Sequence, residues 1–322
     1  MPTILLTNKY SNKILSIVRK ELPEGFEFIS LEKLTKTELM IKAANADYFL
    51  ASGRLHIDKE IIESAPKLKM VQRTGVGNDT LDLTTLRGKE IPVYINNGIN
   101  STTVAEHTIL LMLSVLRQLT IVNSGVKSGK WGKNDVGFEC RSLNNKTVGI
   151  IGIGNIGKKV VKMLNPFNVK ILYYNPNKLP RNVEEELNIE YCDLRSLISQ
   201  VDILSLHCPL TSQTKGIIGS FELSKMKKSS IIINTARGKL IDENALTEAL
   251  ISGKIKGAGL DVFTKEPPGP NNQLFKLSNV ILTPHIGGLS LETFTAMICN
   301  AFENIRLFEL GRFDLIDNNR LK

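Results

Sequence analysis

Thr147-Val148-Gly149-Ile150-Ile151-Gly152-Ile153-Gly154-Asn155-Ile156-Gly157 is the stretch on which the reading of this 322-residue chain turns. Residues 147–151 are a short apolar, β-branched run of the kind a parallel sheet buries on both faces, and 158–164 has the composition of a helix. Gly152, Gly154 and Gly157 punctuate the turn between them. In a βαβ unit that binds a dinucleotide, the first glycine permits the tight turn, the second lets backbone approach the pyrophosphate, and the third lets helix pack on strand. The diphosphate then sits on the helix N-terminus, where unpaired N–H groups and the dipole favour an anion. The GxGxxG spacing alone is a weak signal, since glycine-rich turns are common. The strand before it and the helix after it supply the context the motif requires.

Working outward, the length exceeds one ordinary core, so two domains are expected. A hydrophobic content of 42% and a charged content of 23% are those of a soluble globular protein. The net charge is +9, yet the lysines are scattered with no block of five basic residues, which reads as a solvated surface and not a nucleic-acid footprint. Cys140, Cys192, Cys208 and Cys299 show no CxxC pairing and read as buried free thiols in a reducing cytoplasm. His56, His107, His207 and His285 show no ligand-like clustering, so no metal is expected. The apolar N-terminus soon gives way to Asn8 and Lys9, unlike a signal peptide. The longest apolar segment, 108–116, falls well short of the roughly 20 residues that span a bilayer. No membrane association is expected.

Strands at 3–7, 27–30, 48–51, 69–72 and 93–95, with helices at 12–21, 37–44 and 59–64 between them, predict a parallel sheet covered on both faces. Arg73-Thr74-Gly75-Val76-Gly77-Asn78-Asp79 follows its strand directly and puts backbone N–H groups at a strand's carboxyl end. A carboxylate suits such a nest of amides; the turn also reads as a plain connection. A helix at 104–119, with Thr103 and Glu106 at capping-box spacing, is apolar around most of its circumference. It reads as a buried inter-domain connector whose excess apolar surface could cover a second subunit. Residues 125–145 read as an irregular connection with Trp131 packed as an anchor. The second sheet continues with strands at 169–174, 202–206, 230–234, 257–262 and 280–282, and helices at 194–199, 220–226 and 243–252. The fold class is therefore α/β, with two doubly wound parallel-sheet domains of Rossmann/flavodoxin-like type and a cleft between them.

The carboxyl ends of these strands carry polar residues in rows: His207-Cys208-Pro209, Thr235-Ala236-Arg237-Gly238, Asp261 through Glu266-Pro267, and Thr283-Pro284-His285-Ile286-Gly287-Gly288. That edge faces the ligand crevice of an open α/β sheet. A hydride leaving carbon for a nicotinamide requires a proton to leave the attached hydroxyl, and a histidine can take it. His285 is the candidate, Glu266 the carboxylate that would orient and stabilise its protonated form. Arg237 presents a planar fork suited to a substrate carboxylate and to polarising the neighbouring carbonyl.

The Gly152–Gly157 turn, Asn234-Thr235-Ala236-Arg237-Gly238, Gly259-Leu260-Asp261-Val262-Phe263, Glu266-Pro267 and Pro284-His285-Ile286-Gly287-Gly288, in this order, resemble the D-isomer-specific 2-hydroxyacid dehydrogenase family. The resemblance covers essentially the whole chain, including Val104-Ala105-Glu106, and is strongest to D-3-phosphoglycerate dehydrogenases and their hydroxypyruvate or glyoxylate reductase relatives. It implies hydride transfer between NAD(P)H and a D-2-hydroxy or 2-oxo acid, with a phosphoglycerate dehydrogenase-like activity expected first and glyoxylate or hydroxypyruvate reduction as the alternative. It implies Arg237, Glu266 and His285 as the catalytic set. Val76 and Gly77, with Arg237 and His285, would hold the substrate. It implies a cofactor set of Gly152, Gly154, Asn155, Ile156, Gly157, Asn175, His207, Cys208, Pro209, Thr235, Ala236, Arg237, Asp261, His285 and Gly287. Asp261 and the Thr235-Ala236 backbone would line the nicotinamide, and Cys208 and Pro209 the adenosine side. It implies a discontinuous substrate domain, 1–100 plus 290–322, a dinucleotide-binding domain, 101–289, and a homodimer built on the connecting helix. Some relatives are instead dinucleotide-sensing corepressors, and the intact catalytic set favours the enzyme.

Two departures bear on function. Family members that prefer NAD(H) carry an acidic residue at the end of the second nucleotide strand, where this chain has Asn175, with Lys178 and Arg181 nearby. NAD(H) is favoured and NADP(H) stays open. The chain ends at Lys322, so the C-terminal domains of serine-sensing relatives, and inhibition by serine, are not expected. A phosphorylated substrate would need a second anion site, for which Arg73 is the candidate, with Arg54 and Lys130 as helpers; Arg73 could equally pair with a carboxylate at the domain edge.

Overall fold

The shortest apolar runs of the first hundred residues become strands because they are buried at every position, and the one that is not becomes an edge. The computed structural model describes residues 1–321 and divides the chain into two compact units, Met1–Asn100 with Ser290–Lys322, and Ser101–Leu289. In the first unit β1 (Thr3–Leu6), α1 (Asn12–Glu21), β2 (Glu27–Ser30), α2 (Lys36–Ala43), β3 (Tyr48–Ala51), α3 (Lys59–Glu63), β4 (Met70–Arg73), α4 (Leu83–Gly88) and β5 (Val93–Tyr94) alternate. The sheet is parallel in the order β2-β1-β3-β4-β5, a flavodoxin-like arrangement. The central strands are buried throughout, whereas β2, with Glu27 exposed, closes the edge. Ser11, Thr35, Asp58 and Asp82 each accept a backbone N–H at the start of α1 to α4, satisfying donors that the helix cannot.

The second unit comprises α5 (Ser101–Leu116), α6 (Leu119–Lys127), α7 (Lys133–Gly137), β6 (Thr147–Ile151), α8 (Asn155–Leu164), β7 (Lys170–Tyr174), α9 (Arg181–Leu187), β8 (Glu190–Tyr191), α10 (Leu194–Gln200), β9 (Ile203–Leu206), α11 (Ser220–Lys225), β10 (Ile231–Asn234), α12 (Glu243–Ile251), β11 (Gly257–Leu260) and β12 (Val280–Leu282). Its parallel sheet runs β12-β11-β10-β9-β6-β7-β8. Counted from β6, this is the doubly wound dinucleotide-binding order with a seventh strand added, and its direction reverses between β6 and β9. α5 and α8 cover one face through Leu111, Met112, Val160 and Val161; α10 to α12 cover the other through Leu197, Leu223 and Leu246.

The chain then returns to the first unit as α13 (Leu291–Glu309). Phe294, Ile298, Ala301, Phe302 and Ile305 recur at helical spacing and pack on Ile4, Leu6, Tyr48 and Tyr94. Between that helix and β4 lies a buried amide network. Asn96, 1% exposed, donates to the carbonyls of Thr74 (2.9 Å) and Met297 (2.9 Å) and accepts from Gln72 (3.3 Å) and Asn300 (2.8 Å). Asn304 donates to Gln72 Oε1 at 3.0 Å. All four hydrogen-bonding positions of Asn96 are filled, the condition under which a polar core group fixes one arrangement instead of loosening it.

Several sequence expectations are corrected. The connecting helix begins at Ser101, so Thr103 lies inside the first turn and forms no capping box with Glu106. It ends at Leu116, where the N–H of Arg141 takes the Leu116 carbonyl (2.9 Å) and Gln118 adopts a left-handed conformation, φ 50°. α6 follows at 64° to α5; among the described residues no single helix is long and apolar enough to cross a membrane. Residues 125–145 contain the end of α6 and the whole of α7, and Trp131 is 78% exposed and anchors nothing in this chain. The cysteines are free, but none is fully buried: Cys140, Cys192 and Cys208 are partly exposed and Cys299 is exposed.

Replacing Asn96 by Ala takes a donor from the Thr74 and Met297 carbonyls and removes one of the three hydrogen-bond partners of the Gln72 side chain. We expect a loss of about 2 kcal/mol or more of unfolding free energy, measured by urea titration, with the slope of the transition unchanged.

Candidate active site

The glycine turn after β6 is shaped by what a side chain would strike. Gly152 has φ +100°, and a Cβ there would lie 2.6 Å from the Cys208 nitrogen; a Cβ on Gly157 would lie 2.2 Å from the Gly152 carbonyl oxygen. Those two positions close the turn against β9 and seat α8 on β6. Gly154 differs: nothing lies within 4 Å of its would-be Cβ, and as the N-cap of α8 it offers no capping side chain. The open space and the uncapped first-turn N–H groups together form an anion cradle that fits a dinucleotide's diphosphate. Asn155 and Ile156 open α8 at this cradle.

Two neighbours wall this turn. Asn175 follows β7 and its Oδ1 accepts the Ile153 N–H at 2.8 Å, so its amide NH2 is the group left for a ligand. His207 follows β9, its Nε2 2.8 Å from Ser205 Oγ, and burial lowers its pKa to about 3. Burial likewise pushes the Cys208 thiol up to about 11. Pro209 is exposed beyond them. Lys178 and Arg181, the cations considered for an adenosine 2′-phosphate, are occupied: Lys178 lies 3.5 Å from Glu184, and Arg181 Nε 2.9 Å from Glu185.

At the end of β10 the buried Asn234 braces the next turn, accepting from the Ala236 N–H (3.0 Å) and donating to the Arg237 carbonyl (2.9 Å). Thr235 Oγ1 meets Thr108 Oγ1 of α5 at 2.9 Å, and Arg237 Nη1 donates to the Ala236 carbonyl at 2.7 Å. A Cβ on Gly238 would fall 1.9 Å from the Phe263 carbonyl carbon, so only glycine lets this turn press against the backbone leading to Glu266.

His285 and Glu266 meet. Nδ1 of His285 lies 2.6 Å from Glu266 Oε2, and Glu266 Oε1 accepts the Phe263 N–H at 3.0 Å. Burial alone would raise the Glu266 carboxyl, but the hydrogen bond and charge of His285, the Phe263 N–H and the charge of Arg237 outweigh it, and the net shift is downward. Glu266 is thus an ionised partner, with Nδ1 engaged and Nε2 left for a substrate. His285 has φ +56°, and its N–H is shared between the carbonyls of Asp261 (2.8 Å) and Thr283 (3.1 Å). The Asp261 carboxylate, 1% exposed, accepts from Thr283 Oγ1 (2.5 Å), the Ile286 N–H (2.9 Å) and the Gly287 N–H (2.7 Å).

The model for "D-isomer specific 2-hydroxyacid dehydrogenase, NAD binding domain" matches residues 109–287. The chain belongs to this family. It is 37% identical to glyoxylate reductase of Thermococcus litoralis, over 96% of this chain and 94% of that one. It is 42% identical to D-3-phosphoglycerate dehydrogenase of Methanocaldococcus jannaschii over 99% of this chain, but spans only 59% of that protein. The crystal structure of D-lactate dehydrogenase from Aquifex aeolicus, complexed with NAD and lactic acid, superposes with a TM-score of 0.86 at 26% identity, covering 99% of this chain and 98% of that one.

In this dehydrogenase the turn read as a carboxylate nest, residues 73–79, lies in the first unit at the carboxyl end of β4, with Val76 and Gly77 partly exposed. Arg73 departs from the reading that made it a phosphate anchor. It is 5% exposed, and its Nη1 is directed into the unit, to the Ser52 carbonyl (2.8 Å) and Thr80 Oγ1 (3.3 Å). Arg54 and Lys130 are exposed. Sequence reasoning passed over Asn234 and His107; Asn234 stood at the head of a quoted motif, whereas His107 was considered only as a metal ligand. His107 Nε2 lies 2.9 Å from Thr283 Oγ1.

Gly154→Ala tests the cradle. Its methyl meets no protein atom, so the melting temperature should stay within about 2 °C of the parent, while the Kd for the dinucleotide, from fluorescence titration, rises at least about tenfold.

Proposed function

We propose that this D-2-hydroxyacid dehydrogenase reduces short unphosphorylated 2-oxo acids, of the glyoxylate and hydroxypyruvate kind, with NADH, and that Arg237, Glu266 and His285 carry the reaction. The observation that supports the chemistry is the 2.6 Å pair of His285 with an ionised Glu266. A bound nicotinamide supplies or takes the hydride. In reduction, Arg237 polarises the 2-oxo carbonyl and pairs with the neighbouring carboxylate. Protonated His285 gives its Nε2 proton to the developing alkoxide, while Glu266 holds the Nδ1–H and offsets the ring's positive charge. In oxidation the neutral ring accepts that proton. The same reading assigns the substrate carboxylate also to the Val76 and Gly77 amides.

The burial of Arg73 and the bonds of its Nη1 to Ser52 and Thr80 support an unphosphorylated substrate, because less of this side chain is on offer to a phosphate. A second reading, a phosphorylated three-carbon acid held by Arg54, draws on the 42% identity to a phosphoglycerate dehydrogenase. NADH is favoured over NADPH because both cations near Asn175 already face carboxylates. We further propose a cytoplasmic homodimer: Leu110, Leu119, Val122 and Val126 of α5 and α6 are exposed, apolar surface that a second subunit would cover.

A panel of glyoxylate, hydroxypyruvate and phosphohydroxypyruvate with each cofactor decides the substrate. We expect kcat/KM for the unphosphorylated acids to exceed that for phosphohydroxypyruvate, and NADH to exceed NADPH by at least about tenfold, equivalent to roughly 1.4 kcal/mol. The reverse order on phosphohydroxypyruvate, abolished by Arg54→Ala, would establish the second reading.

The pH dependence has a definite sign. Reduction draws its proton from the imidazole and oxidation returns one to it, so kcat/KM for reduction falls as pH rises and that for oxidation gains. Glu266→Gln removes the charge that offsets the protonated ring and should lower kcat for reduction by at least about tenfold; a parent-like kcat would exclude Glu266 as the partner.

A further inference from the structure

The backbone of His285 is not a default conformation. A left-handed φ of +56° is uncommon for a residue with a Cβ, so the imidazole stands where it does because its turn is held from outside. Part of that hold is the Asp261 backbone carbonyl, which takes the His285 N–H, and part is the Asp261 carboxylate, which takes the next two N–H groups. That carboxylate is itself fixed by Thr283, and Thr283 by a residue on another element.

The direction of the chain follows from proton counting. The Thr283 hydroxyl has one hydrogen, and at 2.5 Å it is given to Asp261 Oδ1, which as an ionised carboxylate can only accept. The 2.9 Å contact between Thr283 Oγ1 and His107 Nε2 must then have the imidazole as donor. Nε2 is also 3.5 Å from Asp261 Oδ1, and a Cβ placed on Gly287 would be 3.3 Å from His107 Cδ2. The His107 ring therefore closes over the far end of the His285 turn as well as anchoring its start. Burial favours the neutral carboxyl of Asp261, and the donors led by His107 and Thr283 outweigh it.

We propose that His107 is a positioning residue for His285, acting as an Nε2–H donor through Thr283 and Asp261; this rests on His285 being the proton-transfer group. His107 thereby makes helix α5 part of the catalytic apparatus without touching substrate.

The test compares His107→Phe, which keeps a ring without the donor, with His107→Gln, whose amide N–H reaches the Nε2 position. His107→Phe should lower kcat for 2-oxo acid reduction by about ten- to a hundredfold, the scale of a small misplacement of a catalytic group, with the Kd for NADH within about threefold. His107→Gln should recover kcat to within about threefold of the parent. In the His107→Phe background, Glu266→Gln should cost less than it does in the parent, since the ring is already misplaced. Thr283→Val breaks the same chain at its middle and should reproduce the kcat loss, which keeps the test open if His107→Phe folds poorly. Parent-like kcat in His107→Phe, or a loss that Gln does not relieve, would overturn the role of His107. His285→Ala run in parallel separates the two claims: undiminished turnover there would bring down the reading of the site itself, whereas loss there beside an unaffected His107→Phe removes only the present inference.

Discussion

The carboxylate of Asp261 lies out of water at the end of β11, and a charge in that place must be surrounded by donors or be neutralised. The donors are the hydroxyl of Thr283 and the N–H groups of Ile286 and Gly287, so solvating this one charge ties the loop after β12 to β11. His285 stands in the middle of that loop, and its conformation is the one that lets its neighbours on both sides reach Asp261. Glu266 comes from the same strand's continuation, a few residues beyond Asp261, and meets the imidazole from there. The pair proposed to transfer the proton is thus set by a buried charge outside it.

The first unit solves the equivalent problem without charge. Its ligand-side turn follows β4, and the strand is pinned to α13 by amides: Gln72, Asn96, Asn300 and Asn304 satisfy one another and the Thr74 carbonyl. Amides carry both donor and acceptor, so a network of them closes on itself at no ionisation cost. The consequence is a rigid base, built without ionised groups, for the turn that carries Val76 and Gly77. Arg73, which sequence alone makes the natural anion ligand, is absorbed into the same packing through Ser52 and Thr80.

That contrast explains which features were legible in the sequence. Strand positions, the glycine turn and the placement of Arg237, Glu266 and His285 directly after strands were readable because each depends on local pattern: β-branched runs, glycine spacing, and polar residues where a strand ends. Two kinds of feature were not. Short elements such as α4, α9 and β8 carry too few residues for a periodic signal, and tertiary contacts define them. Side chains whose role is set by a distant partner were also hidden: nothing in the sequence near Arg73 announces Ser52, and nothing near His107 announces Thr283. Trp131 failed in the opposite sense, since a large aromatic in a polar segment looks like an anchor whether or not the chain supplies something to pack against.

The neutral wall beside the glycine turn decides what a pH profile of this enzyme can report. His207, lowered to about 3 by burial, is uncharged above that pH, and Cys208, raised to about 11, is uncharged below it. Across the working range neither titrates, so the attraction for a dinucleotide comes from the uncapped N-terminus of α8, whose partial charge does not change with pH. A lysine or a carboxylate in the wall would have mixed cofactor binding into every pH-rate curve. Because the wall is silent, dinucleotide affinity should be flat with pH, and a slope in kcat/KM has to come from elsewhere in the site. On the proposed reading the fold separates the two halves of the reaction chemically: a fixed dipole faces the cofactor's phosphates, and the His285–Glu266 pair moves the proton.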